Sequence, residues 1–417
     1  MLREKTTGIN KFGYGFILLL LFLAAMNFYA KFFYFAFAAT AVSVLVFSCV
    51  EINGIFFLYL FLGMIMAIYN VDNGIMAMIR CLTYAAVYYT GFAFSVNSVE
   101  KSLDFSQKNE VLQKRLYEML CAVALGSFTH FMLNYFSNIG REVGRNTNDI
   151  WTGEMQAATG QTALACLIIG LSVSMLLMPR KWYSRLIGII AIVGVLAYNL
   201  VLAGRTVIVI SLIVLALGFI FTVKNTKRVD NRIKLFGLVV FLILLVFLIW
   251  NFNVGGIKDT FKDSNLYLRF FGTGADNLEE SGRLERKTLF LKNMLDYPFG
   301  GLYLRDKYGY AHDLLLDGYD EYGFSVLILL IIILFNGIKN LIGFCKNSQS
   351  HLFVRTAFFC VYISILLEFC VEPIFAGMQW FFVCFCLING AIAGFNSFTK
   401  ASLLSKSSDE GLNIENS

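Results

Sequence analysis

Long apolar runs separated by polar segments recur along the whole chain. Most are about 20 residues long, the length that a helix needs to cross the hydrocarbon core of a bilayer. Run 235–250 is apolar on every face, which is typical of a helix surrounded by lipid. The pattern therefore predicts an all-α, polytopic membrane protein with about 12 transmembrane helices. The predicted spans are 12–30, 32–50, 54–70, 74–97, 116–136, 161–178, 184–203, 206–223, 235–251, 322–338, 352–371 and 374–395.

The composition agrees with a chain that lies largely in lipid. Of its 417 residues, 58% are hydrophobic and 15% are charged, and the mean hydropathy is +0.68. Soluble proteins contain about 25% charged residues, so this chain has too few charges to cover a globular surface. The composition excludes a soluble enzyme, a DNA-binding domain and a secreted disulfide scaffold.

Basic residues are divided unevenly between the two sets of loops. If the N-terminus is cytoplasmic and the spans alternate, more than half of the 34 Lys and Arg residues fall in cytoplasmic segments. Cytoplasmic loops of membrane proteins carry such an excess of positive charge. We therefore expect both termini in the cytoplasm. The net charge of +6 is an orientation signal, and we expect no nucleic-acid partner.

Two loops on the opposite side, 137–160 and 252–321, are longer than a connection requires. Long ordered loops are usually functional. The predicted organisation is a nine-helix membrane region (1–251), a large outer loop (252–321), a three-helix membrane region (322–395) and a cytoplasmic tail (396–417). We expect the polar end of that tail to be disordered.

The large outer loop contains a predicted amphipathic helix, which starts near Ser281 and ends before Pro298. Leucines share one of its faces, and basic residues lie one turn apart on another. These residues are Leu284, Leu291, Leu295, Arg283 and Lys287. Such a helix could lie on the membrane with its apolar face down and its basic face toward lipid phosphates. The alternative is a charged face exposed to water.

Polar side chains within or beside the spans are concentrated near their outer ends. A charge in the middle of a membrane costs at least about 2.5–3.5 kcal/mol on insertion scales. Each of these residues could be a snorkelling arginine, a hydrogen bond between helices or a charge at a helix end. Together they predict a polar cavity that opens to the outer face. The residues are Arg80, His130, Asn134, Arg205, Glu368, Glu372 and Gln379.

His312 lies in the carboxylate-rich segment YAHDLLLDGYDEYGF, just before the tenth predicted span. A histidine in such surroundings can act as a general base near neutral pH. It could equally be an ordinary loop residue.

Three segments in order resemble the O-antigen polymerase and ligase family of bacterial membrane glycosyltransferases. They are AGRTVIVISLIVLALGFIF, SGRLERKTLFLKNMLDYPFGG and AHDLLLDGYDEYGFSVLILL, within residues 195–340. The family pattern has an Arg at an outer helix start, then S-G-R with a helix ending in P-x-x-G, then a His-Asn segment leading into the next span. Asp313 replaces the usual Asn. The tryptophan often found in the S-G-R helix is missing, and Phe290 is the nearest aromatic residue.

The resemblance implies an enzyme of the bacterial plasma (inner) membrane that works at its outer face. The expected activity is polymerisation of undecaprenyl-diphosphate-linked oligosaccharide repeat units into O-antigen, capsule or another exopolysaccharide. The alternative within the family is a ligase, which transfers the glycan to the lipid A core. The implied partners are the lipid-linked donor and acceptor, the bilayer and possible chain-length and flippase proteins.

The chemistry of this reaction assigns expected roles to the polar residues. The leaving lipid diphosphate requires cations, and we expect Arg205 and Arg283 to bind it, with Arg286 as the alternate. His312 is the expected base, with Asp313 or Glu372 in reserve. Lys287 and Arg80 are further expected substrate-binding residues.

No cofactor is expected, and we predict that the enzyme is metal-independent. Some multispan glycosyltransferases hold a metal with an Asp-x-Asp motif in the first outer loop, but the loop around Lys31 has no acid. Asp317, Asp320 and Glu321 could hold an ion or form a solvated rim. A flippase for the same lipid-linked units is the competing class, but it should have internal repeats and short loops.

Overall fold

The computed structural model describes residues 2–47, 52–97, 104–140, 146–271 and 282–415. These are almost entirely helical. The two short strands, β1 (Thr147–Asn148) and β2 (Met155–Gln156), form one antiparallel hairpin.

Sixteen α-helices follow one another in the described part of the chain. They are α1 (Leu2–Ala25), α2 (Phe32–Phe47), α3 (Gly54–Tyr69), α4 (Ile75–Asn97), α5 (Phe105–Ser137), α6 (Ala158–Leu177), α7 (Trp182–Leu202), α8 (Arg205–Asn225), α9 (Val229–Asn251), α10 (Ile257–Lys262), α11 (Asn265–Phe271), α12 (Arg283–Asn293), α13 (Tyr303–Tyr308), α14 (Leu314–Lys346), α15 (Leu352–Phe369) and α16 (Gln379–Glu415).

Eight of the described helices are long and apolar enough to cross a membrane: α5 to α9, α14, α15 and the 379–400 part of α16. Three shorter apolar helices lie near the N-terminus, at Phe12–Ala25, Phe32–Phe47 and Gly54–Tyr69. Helix α9 leaves large apolar side chains exposed, including Phe241, Val246 and Phe247. Such exposed apolar helices identify an all-α protein embedded in a membrane.

Helices α4 and α16 are in backbone contact through glycines. A Cβ atom added to Gly91 would collide with the Leu387 carbonyl oxygen, and one added to Gly390 would collide with that of Tyr88. The Ser95 hydroxyl also donates to the Ala391 carbonyl across this contact, at 2.8 Å. Small residues permit this close approach where lipid provides no hydrophobic drive for helix association.

Helix α14 begins eight residues before the predicted span and is interrupted at Gly323, where φ is +77°. The turn at residues 298–301 packs into this interruption: the Phe324 N–H donates to the Pro298 carbonyl at 3.0 Å. A Cβ atom at Gly300 would lie 2.6 Å from the Gly323 nitrogen. The turn that ends the S-G-R segment therefore fixes the start of the tenth apolar run.

The segment between α9 and α14 is ordered over its described residues and has a small core of its own. Phe290 of α12 is fully buried with Leu304, Ala311, Leu316 and Tyr319. This core holds α12 against α13 and α14. Because Phe290 anchors it, the basic side of α12 is turned toward the end of α15.

Two features differ from the sequence-based expectations. Helix α12 extends only over Arg283–Asn293, and a 3-10 turn, Met294–Asp296, follows it. The tail expected to be disordered is helical as far as Glu415, as a continuation of α16. No proline interrupts the chain after the last apolar run, so the helix can continue into the polar sequence.

The α4–α16 contact predicts that Gly390→Leu strongly lowers the thermal stability of the detergent-solubilised protein. Overpacking costs about 1–3 kcal/mol when side chains can move, and here the obstacle is a backbone carbonyl. Gly237→Leu on α9 is the matched control, since a Cβ atom there meets nothing within 4 Å. Equal melting temperatures for the two variants would contradict the close helix contact.

Candidate functional site

Arg205 is the first residue of α8, and a buried hydrogen-bonded turn sets its position. The Asn199 side chain bonds both backbone groups of Gly204, each at 3.1 Å. Ala203 has a left-handed conformation, with φ at +52°. A Cβ atom at Gly204 would collide with Thr162 and lie 2.7 Å from Asn199 Oδ1. A larger residue at position 204 would therefore displace Thr162 or Asn199.

Arg269 of α11 faces Arg205 across this turn. Arg269 Nη1 donates to the Ala203 carbonyl at 2.6 Å, and Arg205 Nη1 donates to the Arg269 carbonyl at 3.3 Å. These two hydrogen bonds hold both guanidinium groups beside the α7–α8 turn. Sequence analysis missed Arg269, although a single arginine within the apolar and aromatic segment NLYLRFF was the available signal.

Arg283, in the first turn of α12, lies in the same region as Arg205 and Arg269. Its Nη1 donates to the Val371 carbonyl at 3.0 Å, and its Nη2 lies 3.7 Å from Glu372 Oε1. Glu372, just after α15, is only 2% exposed. The Thr206 hydroxyl donates to the same carboxylate oxygen at 3.4 Å. Glu372 therefore ties α8 and α12 to the end of α15.

These groups line a cavity of about 250 Å³, which we call the arginine cavity. Among the described residues, the charged groups that line it are Arg205, Arg269, Arg283 and Glu372. Three guanidinium groups against one carboxylate make the described lining positive. Guanidinium groups bind phosphate oxygens with paired hydrogen bonds, so the cavity is suited to a phosphorylated anion.

His312 lies beside the cavity, with Nδ1 3.7 Å from Glu372 Oε2. This distance is too long for a direct hydrogen bond. Neither atom has a hydrogen-bond partner among the described residues, and both are buried. The backbone of His312 is also left-handed, with φ at +55°. An unsatisfied imidazole and carboxylate oxygen therefore face each other next to three arginines.

Asp313 and Lys287 connect α12 to the start of α14 and to the end of α15. Asp313 Oδ1 accepts from the N–H groups of Leu315 and Leu316 and caps α14. Lys287 Nζ lies 3.1 Å from Asp313 Oδ2 and donates to the Cys370 carbonyl at 2.7 Å. The basic face of α12 thus contacts protein, whereas we had expected it to face lipid phosphates.

The leucine face of α12 and of the turn that follows it is exposed. Leu284, Leu291 and Leu295 are 80%, 58% and 78% exposed.

Two other predicted site residues lie elsewhere. Arg286 lies between Gly282 and Gly309: its guanidinium carbon is 3.8 Å from where a Cβ atom of Gly309 would be. Arg80 stacks over the Phe33 ring at 5.6 Å and lines a separate cavity of about 220 Å³. Neither lines the arginine cavity.

The polar residues from which one cavity was expected are divided among three neighbouring cavities. Arg205 and Glu372 line the arginine cavity, His130 lines a second, and Arg80 and Gln379 line the third. Glu368 is fully buried and accepts from the Cys166 thiol at 3.2 Å. Arg141, Glu142 and Arg145 of the first long loop lie outside the described residues.

Within the part of the chain that the structure describes, no three His, Cys, Asp or Glu side chains are placed to hold a metal ion. Metal independence stays a prediction.

The chain matches no model of a known protein family and no curated protein.

The capping role of Asp313 predicts different effects for two substitutions. Asp313→Asn keeps an N-cap oxygen, whereas Asp313→Ala removes it and costs about 1 kcal/mol or more. We therefore expect Asp313→Ala to lower the melting temperature in detergent more than Asp313→Asn does. Lys287→Met is the control that keeps Asp313 and removes the ion pair together with the hydrogen bond from Lys287 to the Cys370 carbonyl. If Asp313→Asn were as unstable as Asp313→Ala, the charge of Asp313 would matter more than its cap.

Proposed function

We propose that the protein is a glycosyltransferase that polymerises undecaprenyl-diphosphate-linked oligosaccharide repeat units at the outer face of a bacterial plasma membrane. The observation that carries this proposal is the arginine cavity, where Arg205, Arg269 and Arg283 meet beside Glu372 and His312. The order of the motifs around Arg205, Arg283 and His312 supports the same family.

The walls of the cavity suit a lipid-linked anion. Next to the arginines, the lining continues along α8 through Val209, Ile210 and Ile213. Val209 is 50% exposed on the apolar surface of the helix. If the guanidinium groups bind the diphosphate, the hydrocarbon chain attached to it could therefore lie along a wall that faces lipid.

The proposed reaction forms one glycosidic bond and releases one lipid diphosphate. An acceptor hydroxyl oxygen attacks the anomeric carbon of the donor, and the bond between that carbon and the diphosphate oxygen breaks. The electron pair of the broken bond stays on the diphosphate, where the arginines stabilise the growing charge. His312 takes the hydroxyl proton, and Glu372 stabilises the imidazolium that forms.

The proposed topology has twelve spans, with both termini in the cytoplasm. It rests on the twelve apolar runs and on the excess of basic residues in one set of loops. It places α8 and α12 so that the arginine cavity opens at the outer face. The proposed partners are the lipid-linked donor and acceptor, a chain-length regulator and a flippase.

We expect loss of Arg205 to abolish polymer formation in cells. The gene is deleted in its host and restored as wild type, Arg205→Ala or Arg205→Lys, and the surface polysaccharide is separated on a gel. Removing one group that stabilises developing charge typically costs about 100- to 1000-fold in rate. Arg205→Ala should therefore give only lipid A core that carries a single repeat unit. Arg205→Lys should restore only short chains.

Lys227→Ala is the matched control, because Lys227 is an exposed cation beyond the opposite end of α8. It should give the wild-type ladder. Loss of even the single repeat, with lipid-linked polymer accumulating, would indicate the ligase. Accumulation of single units on the cytoplasmic side would indicate a flippase, and a normal ladder from Arg205→Ala would contradict the enzyme proposal.

A further inference from the structure

A second cavity adjoins the arginine cavity and has a different chemical character. Its volume is about 320 Å³, and Thr159 lines both cavities. We call it the histidine cavity, defined by His130, Gln156, Thr159, Phe32 and Trp380. No Lys, Arg, Asp or Glu is among the described residues that line it. A ligand here would be polar and uncharged.

A buried carboxylate orients the imidazole of His130. His130 Nε2 lies 3.0 Å from Asp149 Oδ2, and the two residues are 3% exposed. Asp149 Oδ1 accepts from the N–H groups of Trp151 and Thr152, at 2.9 and 3.1 Å. Burial raises the pKa of Asp149, but His130 and these N–H groups outweigh it, so the pKa lies below its usual value. Asp149 is therefore an anion, and it fixes the hydrogen on Nε2.

The surrounding amides complete the network around this pair. Gln156 Nε2 donates to Asp149 Oδ2 at 2.8 Å, and Gln161 Nε2 donates to Gln156 Oε1. Asn134 Oδ1 accepts from the Ile150 N–H at 2.9 Å. His130 Nδ1 is buried and has no hydrogen-bond partner among the described residues. With Nε2 paired to Asp149 and 3.2 Å from Asn134 Nδ2, Nδ1 is the ring nitrogen left for a hydrogen bond to a ligand.

Aromatic rings form another part of the lining. The rings of Trp380 and Phe32 have centroids 6.3 Å apart, and Trp380 is only half-buried. A sugar ring combines hydroxyl donors at its edge with apolar C–H faces. Cavities that bind small polar molecules pair apolar and aromatic walls with a few placed polar groups. The histidine cavity has this combination beside the proposed diphosphate site.

We propose that the histidine cavity binds a sugar ring of the acceptor glycan, with a hydroxyl group hydrogen-bonded to His130 Nδ1 and the ring lying on Trp380. The identity of this sugar as the acceptor rests on the proposed function. The shared wall at Thr159 would bring the bound glycan next to the anomeric carbon of a donor in the arginine cavity.

The test is photo-crosslinking in cells that supply radiolabelled lipid-linked repeat units. p-Benzoylphenylalanine is placed at Ala157, which lines only the histidine cavity, in an Arg205→Ala background that blocks transfer. Irradiation should give an adduct that carries the glycan label. His130→Gln and, independently, Trp380→Leu should each lower its yield by about two- to tenfold, the effect of losing one modest contact.

Two further crosslinking positions separate the possible outcomes. Ile213 lines the arginine cavity, so an adduct there shows that the cavity binds the lipid-linked glycan and that the variant is folded. Leu212 lies on the exposed face of α8 and should give no glycan adduct. Labelled adducts at Ile213 without any at Ala157 would overturn the acceptor site and leave the proposed function intact. No glycan adduct at either position, with a normal polysaccharide ladder from Arg205→Ala, would overturn both proposals.

Discussion

The candidate site depends on one buried carboxylate, that of Glu372. Three guanidinium groups repel one another, and a membrane-adjacent position gives them little water to reduce that repulsion. Glu372 Oε1 lies near Arg283 and Thr206, and Oε2 faces His312. A neutral residue there would remove the one carboxylate among the described residues that line the cavity. The negative charge of Glu372 thus offsets part of the repulsion among the arginines and allows them to lie close together.

Backbone carbonyls hold each of the three arginines in position. Arg205, Arg269 and Arg283 each donate to a main-chain oxygen, those of Arg269, Ala203 and Val371. A carbonyl contact of this kind orients a guanidinium group and does not remove its positive charge. The helix starts and ends that supply these carbonyls are fixed by tight features such as the Gly204 turn and the buried Phe290. Packing in and around the cavity therefore fixes the positions of its charged groups.

Much of the fold could be predicted from the sequence because lipid imposes a simple rule. Each of the twelve apolar runs overlaps a helix in the described part of the chain. Eight of these helices are long and apolar enough to cross a membrane, where a chain must satisfy its own backbone hydrogen bonds. The length of α14 and the helical tail could not be predicted, because polar sequence can continue a helix that an apolar core already stabilises. The α4–α16 glycine contact was also hidden, as single glycines do not reveal which helix they will meet.

The site was predicted only in part, because the sequence does not show which helices pack together or how they are rotated. Arg205, Arg283 and Glu372 meet because their helix ends converge, and spacing near predicted ends indicated this. Lys287 and Arg286 follow Arg283 on the same helix, yet the rotation of α12 around Phe290 directs them elsewhere. Arg269 escaped notice because nothing local shows that α11 packs beside the α7–α8 turn. Local sequence gives helix ends but not the rotation of short helices.

The most direct measurement is the affinity of the purified protein for undecaprenyl diphosphate, followed by native mass spectrometry. A charge-assisted hydrogen bond contributes about 1.5–3 kcal/mol, so Arg269→Ala should weaken binding by about 10- to 100-fold. Lys258→Ala, on the neighbouring short helix α10 and outside the cavity lining, should bind as wild type does. Unchanged affinity in Arg269→Ala would contradict the claim that the arginine cavity holds a lipid diphosphate.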